Sequence, residues 1–270
     1  PMPSGLGLEA AGTVTAVGDE VTDLAVGDRV GYASPPIGAY AQERRMPAHR
    51  LVRLPDLIDD QTAAAVMLKG LTAQYLLRRT YRVQRGETIL FHAAAGGVGL
   101  LACQWARHLG ATVIGTVGSD EKAELARAHG CDHVIVYSRE DVVERVNDIT
   151  DGAGVPVVYD AVGQATWEAS LDCLQRFGTM VSFGNASGPV EPMAPTLLAA
   201  KGSLFLTRPT VMDYTAARAD LVRGAEEVFE VVGSGAVRVE VRQTYPLADA
   251  AQAHRDLEAR RNTGSTVLLP

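Results

Sequence analysis

Between residues 87 and 209, six short apolar runs alternate with five helical segments, and this alternation limits the possible folds more than any other feature. The predicted strands are 87–93, 112–118, 133–138, 156–163, 178–184 and 203–209. The predicted helices between them are 98–110, 120–130, 141–150, 166–177 and 195–202. Runs that are apolar along their whole length are typical of strands buried on both faces. Regular strand–helix alternation predicts a parallel sheet with right-handed crossovers, so we predict an α/β fold with a doubly wound, Rossmann-type sheet.

The first seventy residues show a different pattern. Short strand signals at 12-GTVTAVGDEV-21, 26-VGDRVGYA-33 and 38-GAYAQERRMP-47 are separated by Gly and Asp turns, which predicts a small β-rich unit. The elements predicted after residue 211 are a helix at 215–235, a strand at 237–247, a helix at 248–262 and a strand at 265–270. We therefore expect two domains, one formed by 1–74 with 212–270 and the other by 75–211.

Composition excludes several classes of protein. The chain has 270 residues, of which 47% are hydrophobic and 21% charged, as is typical of soluble globular proteins. A net charge of −7 argues against a nucleic-acid or anionic-membrane surface. The sequence contains no run of 18 apolar residues, so we predict no membrane-spanning helix. The three cysteines cannot form a disulfide framework, which favours the reducing cytoplasm.

The stretch 89-ILFHAAAGGVGLLACQWARHLGA-111 predicts a phosphate-binding turn between a strand and a helix. Gly96 and Gly97 would let a diphosphate approach the unpaired N–H groups at the start of the helix, and Gly99 would let the helix pack closely on the strand. Ala94 stands where the first glycine of the usual G-x-G-x-x-G pattern would be. A glycine-rich helix start that serves packing alone is the alternative; the surrounding βαβ pattern favours a dinucleotide site.

The end of the second Rossmann strand indicates which dinucleotide would bind. An NAD site usually has an acid at this position that binds the ribose 2′-hydroxyl, whereas this strand ends at Gly118 and Ser119. Lys122 follows one turn later, and a cation beside small residues suits a 2′-phosphate. We therefore predict NADPH, although Asp120 is nearby and Lys122 also fits an ordinary surface lysine.

Several motifs together resemble one family. Those at 91-FHAAAGGVGLLACQWA-106 and 181-VSFGNASG-188 are specific in combination. Further motifs are 5-GLGLEAAGTV-14, 27-GDRV-30, 38-GAY-40, 69-KGLTAQYLL-77, 156-PVVYDAVG-163, 171-LDCLQRFGTM-180 and 202-GSLFLTRP-209. In these the chain resembles the NADPH-dependent quinone oxidoreductases of the zeta-crystallin type, the zinc-free members of the medium-chain dehydrogenase/reductase superfamily, over essentially its whole length.

This resemblance implies a catalytic domain related to the GroES-like β fold and a Rossmann domain, with NADPH in the cleft between them. Hydride would pass directly from the nicotinamide to a quinone or another conjugated carbonyl. The backbone of Gly97 and Val98 would contact the pyrophosphate. The other residues that the resemblance places at the cofactor are Tyr75, Gly118, Lys122, Tyr137, Phe183, Gly184, Asn185, Ala186, Pro209 and Arg260.

Two departures from the wider superfamily matter. The early motif 7-GLEAAG-12 lacks the histidine that follows the glycine in zinc-dependent relatives, and there is no cysteine-rich lobe, so we predict no metal. Relatives also carry a further segment before the equivalent of Ser4. We therefore expect the catalytic domain to lack its N-terminal part, with a fragment and a natural short form both open.

Three interpretations of the function stay open. Hydride transfer to a quinone is the first; an enoyl-thioester reductase is the second, with 43-ERRMPAHR-50 as a weak basic patch for its substrate. The third is an NADPH-binding protein without turnover, structural or redox-reading. We predict no catalytic residue, since His92 is more typical of a packed strand end than of an acid, and Tyr40 fits strand packing as well as a substrate wall.

The sixth Rossmann strand, 203–209, is expected at the open edge of the sheet. An apolar edge favours pairing with a second copy, and related proteins join two such edges into one continuous sheet. We therefore predict a two-fold homodimer, with a small quinone or enone as the substrate and with neither nucleic acid nor a membrane as a partner.

Overall fold

The chain divides into two compact units in a computed structural model that describes residues 5–259, 261 and 264–270. One unit runs up to Thr72 and resumes at Val211, and the other comprises Ala73–Thr210. The assignment of these units to a catalytic and a cofactor-binding domain stays a prediction.

The elements follow one another closely along the chain. The strands are β1 (Glu9–Thr13), β2 (Arg29–Ala33), β3 (Val52–Arg53), β4 (Thr88–Phe91), β5 (Thr112–Val117), β6 (His133–Val136), β7 (Val155–Asp160), β8 (Leu174–Ser182), β9 (Phe205–Thr207), β10 (Val241–Pro246) and β11 (Ser265–Leu269). The helices are α1 (Asp60–Tyr75), α2 (Gly97–His108), α3 (Asp120–Ala128), α4 (Val142–Ile149), α5 (Trp167–Asp172), α6 (Thr196–Ala200), α7 (Val211–Tyr214), α8 (Arg218–Gly233) and α9 (Ala250–Glu258). Among the described residues, no helix is long and apolar enough to cross a membrane.

A six-stranded parallel sheet forms the centre of the unit Ala73–Thr210. Its strand order is β6-β5-β4-β7-β8-β9, and every pairing is parallel. The order reverses between β4 and β7, which is the switch point where doubly wound folds bind dinucleotides at the carboxyl ends of the strands. The prediction of an α/β fold with a Rossmann-type sheet is confirmed.

The apolar strand residues explain why this sheet forms. Leu90, Ile114, Ile135 and Val158 come from four different strands, and each is completely buried in one apolar cluster. A β-branched or large apolar side chain at successive positions is favourable only where helices cover both faces of the sheet. Burial of such a side chain stabilises the fold by about 1.5–3 kcal/mol.

One predicted boundary in this unit is wrong. The helix expected at 166–177 ends at Asp172, and the strand β8 already begins at Leu174. Leu174 pairs with Val155 ahead of a register irregularity, and Phe177 adopts a φ of 62° within the strand. The pairing of Leu174 with β7 therefore ends the helix before the local helical pattern does.

The other unit holds two small sheets. The strands β1, β2 and β3 form an antiparallel sheet, as expected for a small β-rich unit, and β10 pairs with β11 in parallel. The strand signal around residues 38–47 does not become a strand in the structure. Instead Arg44 donates to the carbonyl of Pro36 at 2.6 Å and to the hydroxyl of Tyr32 at 3.2 Å, which holds this segment as a loop.

Candidate cofactor site

The helix α2 begins without a side-chain cap. Its N-cap is Gly96, which has extended backbone angles and no side chain to satisfy the first N–H groups. The two following helices differ, since Ser119 accepts from the N–H of Lys122 and Asp141 accepts from the N–H of Glu144. The first turn of α2 therefore presents unpaired N–H groups and the positive end of the helix dipole to a ligand.

Close backbone approach explains the glycines of this turn. A Cβ atom on Gly99 would lie 2.5 Å from the carbonyl oxygen of Ala93 and 2.6 Å from that of Ala94, so this position accepts only glycine without a backbone shift. A Cβ atom on Gly96 would lie 3.0 Å from the same oxygen of Ala93. Ala93 itself has a φ of 54°, a conformation that costs a non-glycine residue about 1–2 kcal/mol and that occurs often at ligand sites.

The carboxyl ends of β5 and β6 bring a second group of residues together. A Cβ atom on Gly118 would lie 2.7 Å from the hydroxyl of Tyr137, so the phenol lies directly over the glycine. Arg139, which the sequence analysis did not single out, forms an ion pair with Asp120 at 2.7 Å. This pair and the exposed Lys122 bring two cations to the region, together with the carboxylates of Asp120 and of Glu140, which accepts from the N–H of Val136 at 2.8 Å.

The loops that follow β7 and β8 lie against each other. The N–H of Ala186 donates to the carbonyl of Ala161 at 3.1 Å, and the N–H of Ser187 donates to that of Val162 at 2.8 Å. A Cβ atom on Gly184 would lie 2.5 Å from the carbonyl oxygen of Ala161. The predicted segment Phe183–Ala186 therefore has a fixed backbone position at the carboxyl end of the sheet.

His92 lies directly before the glycine turn and is 1% exposed. Its Nδ1 is 2.9 Å from the hydroxyl of Thr116, and its Nε2 is 3.0 Å from that of Ser170. Burial lowers the pKa of His92, and the negative charge of Asp160 opposes that effect. A buried imidazole with both nitrogens engaged is not placed to give a proton to a substrate.

Two further predicted residues, Tyr75 and Pro209, are buried. Tyr75 is buried, with 3% exposure, at the end of α1, and Pro209 is buried just after β9. Arg260 lies outside the described residues. Tyr40, in the other unit, has its hydroxyl 3.1 Å from Nε2 of His254.

Within the described part of the chain, no group of three or more His, Cys, Asp and Glu side chains could hold a metal ion. The position after Gly7, where zinc-dependent relatives have histidine, is occupied by Leu8. The three cysteines are free and buried.

Sequence reasoning missed several of the residues that organise this site. Asp160, Thr116 and Ser170 are buried polar residues within apolar segments, and a polar residue at such a place is a detectable sequence signal. Arg139 gave no such signal, because only the approach of β5 to β6 brings it to Asp120.

Comparisons with known proteins agree with this geometry. A family model described as zinc-binding dehydrogenase matches residues 97–219, and one described as alcohol dehydrogenase GroES-like domain matches residues 1–56. The quinone oxidoreductase of Pseudomonas aeruginosa is 58% identical over 269 residues, which cover 100% of this chain and 83% of that protein. The 2-haloacrylate reductase of a Burkholderia species is 49% identical, with 99% of this chain and 81% of that protein covered. The crystal structure of the Escherichia coli quinone oxidoreductase complexed with NADPH is 51% identical and superposes with a TM-score of 0.96, covering 100% of this chain and 83% of that one.

Proposed function

Because this chain belongs to the zeta-crystallin-type quinone oxidoreductases of the medium-chain dehydrogenase/reductase superfamily, we propose that it transfers hydride from NADPH to a quinone or a similar conjugated carbonyl. The observation that supports this function best is the uncapped, glycine-rich start of α2 at the switch point of the parallel sheet. Such a helix start binds a diphosphate through its N–H groups and its dipole.

The residues present fit NADPH. The backbone of Gly96, Gly97, Val98 and Gly99 would hold the pyrophosphate. Gly118, Lys122 and Tyr137 would hold the adenosine 2′-phosphate, because Lys122 offers a positive charge and Tyr137 offers a hydroxyl group directly over Gly118. Phe183–Ala186 would lie along the nicotinamide half. Tyr75, Pro209 and Arg260 are assigned to the cofactor by family resemblance alone.

The bound cofactor supplies the hydride, and this chain's own residues orient it and exclude water. We assign no catalytic proton donor, and the reduced oxygen of the product would take its proton from water. His92 is unsuitable because it is buried and engaged at both nitrogens. Zinc independence belongs to the same proposal, and Leu8 in the early motif supports it.

The rival enoyl-thioester reductase would need a basic entrance for an anionic carrier. Two of the arginines in the 43–50 stretch have internal partners: Arg44 binds Pro36 and Tyr32, and Arg50 donates to the carbonyl of Thr215 at 3.2 Å. Because these two arginines form internal hydrogen bonds, they are less suited to binding an anionic carrier, which favours a small quinone or enone as the substrate. A protein that binds NADPH without turnover remains the alternative from a different class.

The experiment is NADPH oxidation by the purified chain with benzoquinone and naphthoquinone, and separately with crotonyl coenzyme A. We expect oxidation with a quinone and a much slower reaction with NADH. Faster turnover of the thioester would support the enoyl reductase. Tight NADPH binding without any acceptor reduction would support the non-catalytic protein, and absence of NADPH binding would refute all three interpretations.

The edge strand β9 supports a homodimer as part of the proposal. It pairs with β8 on one side, and its Phe205 and Leu206 are 62% and 40% exposed. An exposed apolar edge favours continuation of the sheet into a second copy. The cytoplasm remains the proposed location, and the unpaired buried cysteines support it.

A further inference from the structure

Four buried polar side chains form a continuous hydrogen-bond chain beneath the carboxyl edge of the sheet. Thr116, His92, Ser170 and Asp160 are each 1% exposed or less. The contacts run from Thr116 Oγ1 to His92 Nδ1 at 2.9 Å, from His92 Nε2 to Ser170 Oγ at 3.0 Å, and from Ser170 Oγ to Asp160 Oδ2 at 2.8 Å. These residues come from β5, from the end of β4, from α5 and from the end of β7.

The chemistry of the groups sets the direction of every bond in this chain. An ionised carboxylate only accepts, so the single hydroxyl proton of Ser170 is donated to Asp160. Ser170 must then accept from an N–H at Nε2 of His92. A neutral imidazole has an acceptor at its other nitrogen, so Thr116 donates to Nδ1. With a neutral imidazole, this arrangement satisfies all three hydrogen bonds of the chain.

The carboxylate of Asp160 holds the loop that follows β7. Its Oδ1 accepts from the N–H of Val162 at 2.7 Å and from that of Gly163 at 3.0 Å, and its Oδ2 also accepts from the hydroxyl of Thr166 at 2.6 Å. The same loop also supports the segment Phe183–Ala186, which is proposed for the nicotinamide half of the cofactor. The N–H groups of Ala186 and Ser187 donate to carbonyls of this loop.

The other end of the hydrogen-bond chain lies at the phosphate-binding turn. His92 immediately precedes Ala93, whose carbonyl accepts from the N–H of Gly96 at 2.8 Å. Thr116, which binds the imidazole, also accepts through its own carbonyl from the N–H of Ala94 at 3.1 Å. The turn and the 161–164 loop are therefore connected through one buried serine.

We propose that Ser170 is a positioning residue for cofactor binding: it holds the 161–164 loop through Asp160 and ties that loop to the phosphate-binding turn through His92. The role rests on the proposed function, since it concerns how the two halves of NADPH are received. Ser170 itself is completely buried, so it acts through its neighbours and does not touch the cofactor.

The test compares a whole cofactor with half of one. Titration calorimetry of the Ser170→Ala variant would measure binding of NADPH and of 2′,5′-ADP, which carries only the phosphorylated adenosine half. Loss of the hydroxyl leaves two buried groups short of a partner and releases the loop that supports Phe183–Ala186. We expect the Kd for NADPH to rise roughly tenfold, and the Kd for 2′,5′-ADP to stay within about twofold.

Two further variants keep the test decisive. Thr150→Ala is the matched control, because Thr150 Oγ1 also donates to one group and accepts from another, the carbonyl of Val146 and the N–H of Gly154, beside the start of β7. It should change neither Kd. Thr166→Val removes the less buried bond to Asp160 and the 3.2 Å contact of the same hydroxyl with the carbonyl of Gly163. It should reproduce the selective loss, more weakly, if Ser170→Ala fails to fold.

If Ser170→Ala raised the Kd for NADPH and the Kd for 2′,5′-ADP equally, or left the Kd for NADPH unchanged, the positioning role would be overturned. The proposed function would be left intact. Failure of the unaltered chain to bind NADPH would instead refute the proposed function, and this inference with it.

Discussion

At the scale of single residues, we expect the preference for NADPH to depend on a few charges at the ends of β5 and β6. Arg139 and Asp120 are paired at 2.7 Å, with side chains 52% and 77% exposed, so both can exchange this contact for another. A 2′-phosphate would attract Arg139 and Lys122 and would repel Asp120. The ion pair therefore acts as an internal competitor for the phosphate.

We predict that Arg139→Ala and Lys122→Ala each raise the Kd for NADPH roughly tenfold, which is the size expected for loss of a charged hydrogen bond. NADH, which lacks the 2′-phosphate, should bind unchanged, and Asp120→Asn should tighten NADPH. Arg145→Ala is the control, since Arg145 is a similarly exposed arginine that pairs with Glu140 and Asp148. Parallel losses for NADH and NADPH would contradict this assignment.

Glu9, in the other unit, carries a pH dependence of stability. Its Oε1 accepts from the N–H of Leu68 at 2.6 Å. Burial raises the pKa of Glu9 to about 7, although the charge of Lys69 and the Leu68 hydrogen bond partly offset that effect. Lys69 is held in turn by a 2.7 Å bond to the hydroxyl of Ser265, and burial lowers its pKa.

The sign of this effect follows from proton binding. Between the pKa of about 4.5 in the unfolded chain and about 7 in the folded one, the folded state retains a proton that the unfolded state loses. The stability that Glu9 contributes is therefore complete below pH 4.5 and is lost as the pH rises towards 7. Urea unfolding of the unaltered chain should show a loss of about 2 kcal/mol over this window that Glu9→Gln does not show. Identical slopes in the two proteins would refute the prediction.

At the scale of elements, the start of α2 shows tertiary contact overriding helix propensity. Alanine is favoured over glycine by about 1 kcal/mol inside a helix, yet a Cβ on Gly99 would meet two backbone carbonyl oxygens at 2.5 and 2.6 Å. Backbone atoms cannot turn away as a flexible side chain can. The first turn of α2 and the Ala93–Ala94 backbone must therefore move apart, which alters the phosphate-binding turn.

We expect Gly99→Ala to lower the free energy of unfolding by roughly 1–3 kcal/mol and to weaken NADPH binding. Gly12→Ala serves as the control, because a Cβ at Gly12 meets nothing within 4 Å, and it should leave both quantities nearly unchanged. Denaturant titrations with and without NADPH measure the two effects together. A Gly99→Ala protein as stable as the parent would show that the turn can relax.

At the scale of the whole molecule, the exposed edge of β9 is the proposed interface of the homodimer. We predict that Leu206→Asp shifts the dimer to monomer at micromolar concentration, because a charge beside the edge opposes continuation of the sheet. Sedimentation velocity measures the change. Leu257→Asp, at a residue 60% exposed on α9, should leave the assembly as it was, and a Leu206→Asp protein that remains dimeric would place the interface elsewhere.

The parallel sheet, the position of the glycine turn and the family could all be predicted from the order of the amino acids. These features depend on patterns between near neighbours: whole-length apolar runs predict buried strands, and glycines between a strand and a helix predict a close backbone approach. The predicted end of α5 was wrong for the same reason. Residues 174–177 carry a local helical pattern, but Leu174 pairs with Val155 in β7. The partners in a sheet are not part of a local pattern.

The contacts between buried polar groups, in contrast, become visible once the chain is folded. His92 and Ser170 are 78 positions apart, and nothing in the spacing of either residue indicates the other. Folding brings them together because the carboxyl ends of β4 and β7 are adjacent in the sheet, and buried polar atoms there must find partners or lose the free energy of hydration. The same requirement makes His92, expected as a packed strand-end residue, a buried link between Thr116 and Ser170. Arg139 and Asp120 meet for a different reason, since both are exposed and lie just beyond the ends of the neighbouring strands β6 and β5.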